Sequence, residues 1–173
     1  MKKERFVISA IVNNESGVLT RVSGLFARRG FNIDSLSVGE TENSEFSRIT
    51  ITATVEDYIK EQIIRQLEKL HDVKKVELMD RERTVLRELL LVKVKAQPSK
   101  RSEIFEAVNV FRAKVIDMSP ASLIIEITGE TAKINAFIEY ISSFGITELC
   151  RTGVTAMGRG EYKLKDKKTE EEN

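Results

Sequence analysis

A chain of 173 residues, 41% of them hydrophobic, has room for one large domain or two small ones and enough apolar material for a real core. Its 28 Lys and Arg against 27 Asp and Glu leave a net charge of +1, which argues against the basic excess of a nucleic-acid footprint. A single cysteine, Cys150, excludes an internal disulfide framework. With no apolar run of about 18 residues and no cationic-apolar leader, the sequence reads as cytoplasmic, with no membrane partner.

In chain order, Phe6 to Val12 has the β-branched richness of a strand, expected over about 5–13. Val18, Leu19, Val22, Leu25 and Phe26 then mark one face of a helix over about 17–29, which Gly30 ends. Ser16 is expected to cap that helix, and Gly17 to expose backbone at its start. A second strand is expected from Asn32 to Thr41 and a third from Phe46 to Val55, paired as a hairpin. Asp57 is the expected cap of a second helix carrying Ile59, Ile63, Leu67 and Leu70, and Val73 to Met79 closes the unit. The order β-α-β-β-α-β is that of a ferredoxin-like sandwich, with antiparallel strands and both helices on one face.

The order then repeats. Leu86 to Ala96 reads as a strand, Gln97 to Arg101 as a loop, and Ile104, Phe105, Val108 and Phe111 as a helix. Strands at Lys114 to Met118 and Ser122 to Thr128 precede a helix with Ile134, Phe137, Ile138 and Ile141, capped by Thr131 and ended by Gly145. Ile146 to Arg151 is the last expected strand, followed by a segment to Gly160. The fold class is therefore α+β, two βαββαβ sandwiches in tandem: 1–80, a linker at 81–83, and 84–160. A charged tail at 161–173 is expected to be mobile unless a partner fixes it.

Chemistry is sparse. His71, the only histidine, follows Leu70 at an expected helix end and reads as a surface residue there, so neither a Ser/His/Asp triad nor a multi-histidine metal site is assigned. Cys150 reads as a packed small hydrophobe, and no glycine-rich phosphate loop occurs. No catalytic residue and no metal site are assigned. What remains is the corner Asn13-Asn14-Glu15-Ser16-Gly17-Val18: a helix N-terminus approached by glycine has free N–H groups and a partial positive charge, which suit a carboxylate. Asn13, Asn14 and Asn32 are expected to bring donors and acceptors to that corner, with Glu15 and Asp34 as its nearest acids. The second half has no glycine loop at the matching place around Pro98.

The run Asn14-Glu-Ser-Gly-Val-Leu-Thr-Arg-Val22, then Gly24 to Leu36, then Ser47-Arg-Ile-Thr50, resembles the amino-acid-binding ACT domain. In particular it is similar to that of the regulatory small subunit of acetolactate synthase, also called acetohydroxyacid synthase. The resemblance continues through Gln66 to Leu70, Arg87 to Lys93, Arg112 to Asp117, Arg151 to Val154 and Arg159-Gly160. It implies a non-catalytic subunit that activates a separate catalytic large subunit and confers feedback inhibition by branched-chain amino acids (valine, leucine, isoleucine), usually valine. It also implies a homodimer through the ACT domains, with the effector at their interface. Carried over by position, the effector residues are Asn14, Gly17, Val18 and Leu19, with Asn32 and Ile33 facing in from the neighbouring subunit. Thiamine diphosphate, magnesium and FAD are implied for the catalytic partner and no cofactor for this chain. The alternatives are a stand-alone amino-acid-sensing ACT protein, a small enzyme such as an acylphosphatase, and a paired scaffold that binds no ligand. An acylphosphatase would need an arginine in the Asn13–Gly17 loop, which this sequence lacks.

Overall fold

The computed structural model describes residues 3–162 and Leu164. Two compact units emerge: residues up to Val85 together with those from Val154 on, and Leu86–Gly153. The boundaries differ from those expected at 80 and 160, because the chain leaves the first unit, builds the second and then returns.

In the first unit β1 (Lys3–Asn13), β2 (Ser35–Glu40), β3 (Phe46–Glu56) and β4 (Val73–Leu78) form an antiparallel sheet in the order β2-β3-β1-β4. The helices are α1 (Val18–Arg28) and α2 (Asp57–Leu67). Strand alternation sends Phe6, Ile8, Ala10 and Val12 of β1 and Ile49, Ile51, Ala53 and Val55 of β3 toward Val22, Leu25, Phe26, Ile63 and Leu67 of the helices, in one buried cluster. Each Val, Leu, Ile or Phe side chain among them contributes about 1.5–3 kcal/mol when fully buried. β2 begins three residues later than expected, since Asn32 and Ile33 lie in the extended connection from α1.

The second unit repeats the plan with β5 (Thr84–Lys95), α3 (Arg101–Val110), β6 (Lys114–Met118), β7 (Ser122–Gly129), α4 (Thr131–Ser142) and β8 (Ile146–Arg151), in sheet order β6-β7-β5-β8. Its core joins Leu90, Val92, Val94, Leu123, Ile125 and Ile127 to Ile104, Ile134, Phe137 and Ile141. Gly30 and Gly145 follow helices in the left-handed region (φ 67° and 92°); at the equivalent place after α3 the second unit has Arg112 (φ 53°).

Several expectations are corrected. No helix takes the side-chain cap expected of it: α1 is preceded by Gly17 in the left-handed region, not by a bonding Ser16. α2 and α4 are capped by Glu56 and Glu130. Asp57 instead pairs with Lys60 at 2.8 Å, and the Thr131 hydroxyl donates to Glu88. Cys150 is exposed rather than packed. The segment after β8 contains a strand not expected, β9 (Thr155–Gly158), which pairs with β5, whose first residues Thr84 and Val85 belong to the first unit. Most of the expected mobile tail lies outside the described residues; Tyr162, however, is fixed by a hydrogen bond to Glu77, and Leu164 is buried. Among the described residues no helix is long and apolar enough to cross a membrane.

Candidate functional site

The corner between β1 and α1 is built by three neighbouring pieces of chain. The Asn13 N–H donates to the Asp72 carbonyl at 2.9 Å, and the Asn14 N–H to the Glu45 carbonyl at 2.7 Å. The Asn14 amide then braces the β2–β3 hairpin: its nitrogen donates to the Ser44 carbonyl at 2.9 Å and its oxygen accepts from the Ser47 hydroxyl at 3.0 Å. One lone pair and one N–H of that amide are left over. Asn14 is thus a structural brace of the corner.

Gly17 then turns the chain into α1 at φ 86°, a conformation that costs an L-residue about 1–2 kcal/mol. The Val18 N–H makes a long 3.4 Å bond to the Glu15 carbonyl, and the Arg21 N–H closes the first turn on the Gly17 carbonyl at 3.0 Å. The N–H groups of Leu19 and Thr20 have no intrahelical acceptor, as at any helix start. Gly17 is exposed, Leu19 is 40% exposed, and Val18 is buried in the core. The arrangement offers backbone donors, a positive helix end and an apolar side chain around one open spot.

Two further residues complete the corner, and sequence reasoning had not singled them out. Arg21 lies one helical turn after Gly17, and a Cβ on Gly17 would stand 3.1 Å from its Nη1. Arg21 Nε holds Asp72 Oδ2 at 2.6 Å. That hydrogen bond keeps the Asp72 carboxyl below the usual carboxylate range, against the opposing effect of burial, and raises the Arg21 guanidinium in turn. A cation is therefore fixed beside the glycine. The i, i+4 spacing of Gly17 and Arg21 was the available signal.

The structure separates the other residues expected here. β2 runs from Ser35 opposite Thr52 to Glu40 opposite Ser47, whereas β1 ends at Asn13 opposite Phe46. Asn32 and Ile33 precede Ser35, so within one chain they lie at the far end of the sheet, at least six strand positions or about 20 Å from the corner. Asp34 goes with them: its N–H donates to the Thr52 carbonyl and its Oδ2 accepts from the Thr54 hydroxyl at 2.6 Å. Asn32 reaches Asp34 Oδ1 at 3.4 Å. The expectation that Asn32 and Asp34 border the Gly17 corner of their own chain is overturned. His71 is exposed, 3.9 Å from Asp72. No group of three or more His, Cys, Asp or Glu that could hold a metal occurs among the described residues.

Another family-like pair of motifs is structural. Glu88, 4% exposed, accepts from Arg151 Nε at 3.1 Å and Nη2 at 2.7 Å and from the Thr131 hydroxyl, while Arg151 Nη1 reaches Asn135 at 3.0 Å. The segments around Arg87–Lys93 and Arg151–Val154 thus meet in an ion pair that ties β5, β8 and the start of α4.

Comparison with known proteins covers nearly all of the chain. Residues 8–75 match the family described as an AHAS small subunit-like ACT domain, and residues 87–160 the family described as the small subunit of acetolactate synthase. A probable acetolactate synthase small subunit of Methanothermobacter thermautotrophicus is 50% identical over 161 residues, covering 92% of this chain and 96% of that one. The acetolactate synthase small subunit of Mycobacterium bovis is 47% identical over 160 residues, covering 92% and 95%. The crystal structure of the acetolactate synthase small subunit from Thermotoga maritima superposes with a TM-score of 0.85 at 42% identity, covering 92% of this chain and 99% of that one.

Proposed function

The chain belongs to the family of acetolactate synthase small subunits, and on that premise we propose that it binds a branched-chain amino acid, valine foremost, at the Gly17 corner and so regulates a catalytic large subunit. The observation that carries this reading is the pairing of an open, glycine-started helix end with the Arg21 guanidinium. The α-carboxylate meets the Leu19 N–H and Arg21. The ammonium needs acceptors, which Asn14 Oδ1 and nearby carbonyls offer. The aliphatic side chain lies against Leu19.

The effector sits between two copies of the chain. Its far wall is Asn32 and Ile33 of the neighbour, a reading supported by their distance from the corner in their own chain. Occupancy favours one geometry of the pair and acts on the catalytic subunit only through its difference in affinity between states. The chemistry, with its thiamine diphosphate, magnesium and FAD, belongs to that partner. Selectivity among valine, leucine and isoleucine is modest, because one methylene changes pocket affinity by only about 1–3 kcal/mol.

Calorimetric titration of the purified chain tests this. Saturable heat with valine, weaker with leucine and isoleucine and absent with lysine, is the expected result. Absence of heat with all of them, in the chain alone and with the large subunit present, would refute it.

A further inference from the structure

The return of the chain across the first unit has no role in effector contact, yet its chemistry is unusual. The face of the β2-β3-β1-β4 sheet away from α1 and α2 is polar. Ser37, Thr50, Ser9 and Glu77 cross it in one row, Ser35, Thr52 and Val7 in the next, and Gly39, Arg48, Ile11 and Lys75 in a third. Such residues suit a surface that meets water. Nevertheless Ser9, Thr50 and Thr52 are 0%, 1% and 0% exposed.

The segment Val154–Tyr162 lies on this face. The Val154 N–H donates to Ser35 Oγ at 3.3 Å, Ser37 Oγ donates to the Val154 carbonyl at 2.9 Å, and Arg48 Nη1 reaches the Ala156 carbonyl at 3.5 Å. Val154 and Ala156 are buried, as are Val7 and Met79 of the body. The far end is latched: the Tyr162 hydroxyl donates to Glu77, and Arg83 stacks over the Tyr162 ring at 4.4 Å. Gly158 permits the latch, since a Cβ there would stand 2.1 Å from the Tyr162 carbonyl oxygen.

The seat is incompletely satisfied. Among the described residues, the buried polar side-chain atoms with no hydrogen-bond partner are Ser9 Oγ, Arg48 Nε and Thr84 Oγ1. Ser9 and Arg48 belong to the covered face. Thr84 adjoins the Arg83 carbonyl that accepts the Arg159 N–H. Each such atom costs free energy while covered and regains a partner in water when uncovered. A polar seat with unmet donors and acceptors thus favours release, while the pairing of β9 with β5, the apolar contacts and the latch favour closure. Elements balanced in this way can be moved by small inputs.

The input is adjacent. Ser35 and Ser37, which hold one end of the segment, follow directly on Asn32, Ile33 and Asp34. We propose that Val154–Tyr162 is a releasable strap, seated by ordering of the Asn32–Ile33 loop, that passes the amino-acid signal to the catalytic partner; this rests on the effector reading above. An occupied loop fixes the start of β2, aligns Ser35 and Ser37, and closes the strap. An empty loop leaves it in exchange between seated and lifted positions.

Hydrogen exchange on the full chain, with and without saturating valine and alongside calorimetry, tests the proposal. Without ligand, the Thr155–Gly158 amides exchange at least about tenfold faster than those of Ile49–Ala53. Valine slows them by about fivefold or more. Gly158→Ala displaces the latch. It retains heat with valine and the uninhibited activity of the holoenzyme, loses the slowing, and needs about fivefold more valine for half-inhibition. Tyr162→Phe, which removes only the bond to Glu77, shifts the same quantities in the same direction by less. Valine heat with unchanged strap exchange would overturn the strap while leaving the effector site standing, and so would an unaltered valine response in both variants. Absence of valine heat would instead overturn the effector reading, and the strap with it.

Discussion

Substitution of Gly17 separates the backbone requirement of the corner from its electrostatics. At φ 86°, Gly17→Ala adds a left-handed L-residue, costing about 1–2 kcal/mol, and its methyl meets Arg21 Nη1 at 3.1 Å, a contact the flexible guanidinium relieves by a small shift. The melting temperature therefore falls by about 2–8 °C, and valine inhibition of the holoenzyme weakens but persists. Gly17→Asp carries the same backbone cost and adds a negative charge where the proposed effector would place its carboxylate. Like charges about 4 Å apart at an effective dielectric near 20 repel by about 4 kcal/mol, which is about a thousandfold in affinity. The two variants thus melt within a few degrees of each other yet differ completely in valine response. Thermal melts followed by inhibition curves of the reconstituted enzyme read both quantities. A folded Gly17→Asp variant inhibited by valine at the wild-type concentration would refute the placement of the carboxylate.

Other consequences follow from particular contacts. Arg151→Leu leaves the buried Glu88 carboxylate without its counter-charge and destabilises the second unit by about 3–5 kcal/mol by urea unfolding, whereas replacing both residues by leucine recovers much of that loss. Asp72 is held ionised by Arg21, so its contribution is present above the ordinary carboxylate pKa and is lost as pH falls through the lower folded value. The stability difference between wild type and Asp72→Asn, measured by urea unfolding, accordingly holds above the ordinary carboxylate range and shrinks as pH falls through and below it. Arg112→Gly removes a left-handed side chain after α3 and raises the melting temperature, the gain of at most about 1–2 kcal/mol being partly offset by unfolded-chain entropy. A chain ending at Arg83 keeps its whole core cluster, Phe6 to Val76, and unfolds cooperatively by circular dichroism; a molten signal would show that the returning segment is required for folding.

Periodicity carried most of the fold, because the helices bury one apolar stripe and the central strands alternate cleanly: Ile49, Ile51, Ala53 and Val55 point one way and Arg48, Thr50, Thr52 and Thr54 the other. Caps were misplaced since Ser16, Asp57 and Thr131 are each one residue from the true boundary or bonded elsewhere; Thr131 is drawn to Glu88, a residue 43 positions away. The Gly17 corner was legible as a local pattern. Arg21 was signalled only by its i, i+4 spacing from Gly17, and Asp72 and Ser47 were hidden because their places depend on how β4 and β3 register against β1. Strand register also explains the misplacement of Asn32 and Asp34: closeness in sequence suggested one corner, but β2 runs away from it. β9 escaped notice since Thr155-Ala-Met-Gly158 is only four residues long and is fixed by pairing with β5 and by the Arg48 contact to Ala156, both far away in sequence.

Reconstitution tests the central claim most directly. The chain is mixed with the acetolactate synthase large subunit of the same source, and product formation is measured against valine concentration, with the large subunit alone as reference. Higher activity is expected with the chain present, with valine inhibition that appears only in the mixture and disappears with Gly17→Asp. Equal activity and equal valine sensitivity with and without the chain would contradict it.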